Sequence, residues 1–121
     1  MLESYLVAVA VGIVAELAAR NGRFWLYRKP INPVINVIVM FGLVMGGFSL
    51  AVPVLGHLPV FLLAWAIGYG YEQLNFAVLH WWDFPDDRFL MFAGRRACAI
   101  SVGALWGLTP LIVHQLQALL P

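Results

Sequence analysis

GYGYEQLNFAVLHWWDFPDDRFLMFAGRR, residues 68–96, begins inside one apolar run and ends inside another. Between them it gathers Glu72, Gln73, Asn75 and His80, and leaves through Trp81-Trp82. It turns at Asp83-Phe84-Pro85-Asp86-Asp87 and re-enters apolar sequence carrying Arg95 and Arg96. A turn between two long apolar runs reads as two antiparallel helices, and aromatic residues at the neck suit a membrane–water interface. Most of the chain's polar chemistry lies in this stretch.

Composition sets the solvent. The chain has 121 residues, 63% of them hydrophobic and 11% charged. A water-soluble domain of this size must cover a large surface with polar groups, and too few are present. A bilayer removes that requirement. A single domain over 1–121 follows from the length. The net charge of +1 leaves no basic stripe for nucleic acid. The single cysteine, Cys98, excludes an internal disulfide and a cysteine-based zinc site, and reads as a small packing residue.

Working outward, four spans are expected, over about 2–20, 31–55, 58–82 and 89–119. The fold class is all-α: a polytopic bundle of four transmembrane helices with short loops. About twenty apolar residues at roughly 1.5 Å each cross the hydrocarbon core. The first run carries Glu3 and no basic start, so it is expected to be a retained span and not a secretion signal. Ala8, Gly12, Ala15 and Ala19 give it one small-residue face. Gly42 and Gly46 form a GxxxG in the second span, and Ala99, Gly103 and Gly107 a comparable row in the fourth. Such rows let helix backbones approach closely. Thr109-Pro110 is a kink site in the fourth span.

Charge placement gives the topology. Arg20, Arg23, Arg28 and Lys29 lie at the loop between spans one and two. Arg88, Arg95 and Arg96 lie between spans three and four, and the intervening loop has none. The positive-inside rule puts both basic loops in the cytoplasm and both termini outside, in a bacterial inner membrane.

Two carboxylates are candidate functional groups. Glu16 lies near the end of span one, with Arg20 four residues on, which makes either an interfacial ion pair or a proton or cation site. Glu72 lies several residues inside span three. Its depth overlaps that expected for Arg95 and Arg96, so the pair is either helix glue or the head of a polar pocket with Gln73, Asn75 and His80. Such a pocket has lipid, quinone or pigment as its candidate ligands. No metal is expected: His57, His80 and His114 do not converge on this topology, and no HxxxH or ExxH pair exists. One histidine alone suffices only as an axial ligand of haem or chlorophyll. Asp86 or Asp87 is expected to cap the fourth span. No phosphate loop or nucleophile elbow is present.

In size, span count and the carboxylate of GIVAELAAR, Glu16, the chain resembles the small multidrug resistance transporters. That resemblance implies a homo-oligomeric proton-coupled transporter. Glu72, the charged hairpin and Arg20 beside Glu16 depart from the family's pattern, and no family is assigned on it.

Two small-residue rows exceed what four helices need among themselves. The leading expectation is therefore a non-catalytic accessory subunit of a larger membrane complex, partnered by other membrane subunits or by itself and by lipids. The alternatives are a proton-coupled transporter using Glu16 or Glu72, and a small membrane enzyme acting on a polyprenyl or carotenoid-like lipid.

Overall fold

The computed structural model describes residues 1–121 and is mostly helical. Helix α1 is Leu2–Gly22, α2 is Ile31–Leu55, α3 is His57–Leu74 and α4 is Arg95–Leu119. Three of them, α1, α2 and α4, are long and apolar enough to cross a membrane, consistent with an integral membrane protein. In α3, His57, Glu72, Gln73 and the tyrosines dilute the apolar content.

Small residues decide how the helices pack. The buried residues of α3 are Val60, Ala64, Gly68 and Glu72, one row at four-residue spacing. A Cβ on Gly68 would lie 2.4 Å from Trp106 of α4. In return, Gly103 faces Trp65 and Gly107 faces the Phe61 carbonyl at 2.8 Å. Across the molecule, Gly12 of α1 admits Phe41, and Gly42 and Gly46 of α2 admit Tyr5, Ser4 and Ala8. The two rows expected to be free for a partner are thus occupied within the chain.

Both ends of the bundle are tied. At one end Gln117 donates to Ser4 at 2.8 Å, and the rings of His57 and His114 lie 6.1 Å apart. At the other end the two basic loops meet as strands β1, Leu26–Tyr27, and β2, Trp82–Asp83, paired antiparallel. Arg28 and Asp83 close that link with two hydrogen bonds of 2.8 and 2.9 Å. All seven Lys and Arg lie at this end.

Three expectations are corrected here. The fourth helix begins at Arg95, not at 89. Residues 88–93 instead form a tight hairpin of β3, Arg88–Phe89, and β4, Phe92–Ala93, with Leu90 at φ 53° and Gly94 at φ 94°. Gly94, not Asp86 or Asp87, caps α4. The third helix ends earlier than 82: a wide-turn segment, Asn75–Leu79, runs into His80 at φ 50°. His57 and His114 lie at the same end of the bundle, as the expected topology had it, and no group of three or more metal-ligating side chains forms.

Candidate functional site

The networks around the half-buried Glu16 and the buried Glu72 are built from neutral donors. Glu16 accepts from Tyr27 Oη at 2.6 Å, Asn36 Nδ2 at 2.6 Å and Trp25 Nε1 at 3.1 Å. Arg20 is not among its partners, so the expected Glu16–Arg20 pair is replaced by three uncharged groups. The cause is local. The chain leaves α1 through Arg23 in the left-handed region and folds Trp25 and Tyr27 back under the helix end. Asn36 opens a wide-turn segment of α2, Asn36–Met45, a rare helix form that recurs at functional positions. Its amide also donates to Tyr27 Oη at 2.9 Å, and its carbonyl accepts from Tyr71 at 3.1 Å. Burial, then the nearby charge of Glu16, pushes the Tyr27 phenol far above its ordinary range, so it stays a hydrogen-bond donor.

Glu72 is 2% exposed. Its partners are indoles: Trp82 Nε1 at 2.9 Å and Trp106 Nε1 at 3.4 Å. The expected Glu72–Arg95 or Glu72–Arg96 pair is absent. Because α4 starts at Arg95, both arginines stay exposed at the helix mouth. Arg95 instead sits 3.6 Å from Asp87 and over the Phe76 ring. Neither Glu16 nor Glu72 has a cationic partner.

The expected polar cluster therefore divides. Glu72 and Asn75 turn inward. Gln73, Arg95 and Arg96 border a shallow outer depression with Tyr69 and Phe76, and His80 is exposed. Asn75 positions the others. Its carbonyl accepts the backbone N–H groups of Trp81 and Trp82, and its amide donates to the Trp82 carbonyl at 2.9 Å. That stitch turns the chain after α3 and sets the Trp82 indole on Glu72.

Between α1, α2 and α4 lies a cavity of about 200 Å³. Val11, Ala15, Phe41, Val102, Leu105, Leu108 and Ile112 give it apolar walls, and Glu72, Trp82, Tyr27 and Asn36 its polar end. Sequence reasoning passed over Asn36, Tyr27, Trp82 and Trp106 as site residues. For Asn36 and Trp106 the only signal is a polar-tipped side chain in an apolar run, which a membrane interior tolerates only when it is bonded, and Tyr27 and Trp82 read as interfacial aromatics. On the far side of Trp25 and Tyr27, a second recess is bordered by Glu16, Arg20, Arg28 and Lys29. Every buried side-chain nitrogen and oxygen has a partner. The arrangement can hold an apolar molecule against a carboxylate shielded from water. No protein family, no curated protein and no solved structure matches this chain.

Proposed function

We propose that this chain is a four-span integral membrane protein of a bacterial inner membrane, termini outside, that holds a lipid-soluble molecule of the lipid, quinone or pigment class in the cavity headed by Glu72. One observation carries this reading: a carboxylate buried without a cation at the polar end of a largely apolar interhelical cavity. Burying such a group is costly, and apolar cavities with a few convergent polar groups are the usual form of a small-molecule site. Serving a larger membrane assembly as a non-catalytic subunit belongs to the same proposal. Its support is now the cavity, since the small-residue rows are used internally.

The test is extraction from native membranes in a mild detergent, with co-purifying small molecules identified for the wild type and for Ala15→Phe, which fills the cavity from α1. The proposal expects a stoichiometric ligand in the wild type and its loss in a variant that still folds. A wild type that carries nothing, or equal retention in both, contradicts it. Native mass in the same experiment tests membership of an assembly.

A second reading is favoured by a separate observation. Glu16, Asn36 and Tyr71 form a bonded row that leads in from the basic recess and ends at Tyr71, the sequence neighbour of Glu72. Proton-coupled transport would use that route. It expects Glu16→Gln and Glu72→Gln each to abolish proton flux in vesicles without loss of the folded protein.

A further inference from the structure

With Glu72 ionised, every side-chain donor at the polar end of the cavity already has an acceptor. Tyr27 donates to Glu16, and so does the Trp25 indole. The Asn36 amide donates to the adjacent Glu16 and Tyr27 oxygens. Trp82 and Trp106 both donate to Glu72, and Thr109 donates to the Leu105 carbonyl at 2.9 Å. These are all the side-chain donors that line the cavity. What is left is acceptor capacity, chiefly the remaining lone pairs of Glu72. A head group that only accepts, such as a carbonyl, ester, quinone or carboxylate, would be buried there without a partner, and an unmet buried polar group is penalised.

The apolar end does not stop at the cavity wall. Val11 and Ile112 also border a wholly apolar groove between α1 and α4, completed by Val7, Val14, Leu116 and Leu120. From Leu105 to Leu120 the combined track follows fifteen residues of chain, about 22 Å by helical rise. It runs from Glu72 to the end of the bundle that holds both termini.

Resting on the proposed cavity function, we infer that the ligand is a single-chain amphiphile whose head donates a hydrogen bond to Glu72, a hydroxyl or a protonated amine, with its tail lying along the α1–α4 groove. The titratable groups around that head are Glu72 and Tyr71 from α3, Tyr27 from the first loop, Cys98 from α4, and Glu16 at greater distance. None is basic, so the head meets no competing cation.

The experiment uses the full chain in detergent, offered hexadecanol, hexadecylamine and methyl hexadecanoate separately, with adducts read by native mass spectrometry. The alcohol, the amine or both are expected to bind at least about tenfold better than the ester, the factor that about 1.4 kcal/mol gives. The alcohol and amine arms distinguish a neutral head from a charged one. Glu72→Gln supplies an amide donor and is expected to raise ester binding. Equal binding of all three leaves the cavity function standing and overturns the head-group inference. Binding of none overturns both. A second variant, Val14→Trp, blocks the groove. It is expected to weaken hexadecanol but not octanol, and equal loss of both would overturn the placement of the tail.

Discussion

Asn36 joins more of the interior than either carboxylate does. One amide serves Glu16, Tyr27 and Tyr71, which come from α1, the first loop and α3. Asn36→Leu keeps the branched shape and removes all three bonds. It leaves Glu16 with two donors and the Tyr71 hydroxyl without its acceptor, so a loss of about 1–3 kcal/mol is expected in thermal melts in detergent. Asn75→Ala acts differently. It frees the Trp81–Trp82 turn, and its expected mark is faster amide exchange at Trp81 and Trp82, with the helix signals unchanged. Glu72 shows where sequence reasoning stopped. A buried carboxylate is legible as an anomaly, but the natural partner to seek is a cation, and Arg95 and Arg96 stood at a matching sequence depth. The actual partners are indoles ten and thirty-four residues away, and an indole N–H hides inside a count of aromatic residues.

At the scale of elements, the small-residue rows were readable and their destination was not. Periodicity identifies a face, while the helix that covers it is set by loops and by the bulk of neighbours such as Phe41, Trp65 and Trp106. Gly107→Ala would set a methyl 2.8 Å from the Phe61 carbonyl, a backbone atom that cannot swing aside. It is expected to cost about 1–3 kcal/mol as overpacking. Gly70→Ala, on the same pair of helices but with open space around it, is expected to gain up to about 1 kcal/mol from helix propensity. Paired melting curves check both signs. The start of α4 was misplaced for a related reason. Phe89-Leu90-Met91-Phe92-Ala93 is apolar enough to read as helix, yet Gly94 and the left-handed Leu90 turn it into a hairpin. That turn carries Arg95 and Arg96 out of the interior.

Over the whole molecule, the link between the two basic loops is an exposed ion pair, Arg28–Asp83. The hydrogen bonds from Arg28 hold the Asp83 carboxyl below its ordinary range. A depressed carboxylate contributes fully above the unfolded-state value and loses that contribution as pH falls through the folded value. Acidification is therefore expected to loosen β1–β2 before the helices melt, and Asp83→Asn to remove this pH dependence. Exchange at Tyr27 and Trp82 reads both. The pair was not foreseen, because it joins residues fifty-five apart across two loops. The bundle's polarity was legible, since all seven cations cluster at one end by sequence alone.

The central claim is that the cavity under Glu72 is a filled binding site in the membrane. A density map of the protein extracted together with its native lipids tests it most directly. The account predicts elongated density between α1 and α4, with one end within hydrogen-bond distance of the Glu72 carboxylate. A cavity closed by Leu105 and Ile112, with Glu72 satisfied by Trp82 and Trp106 alone and no density beside it, would contradict the account.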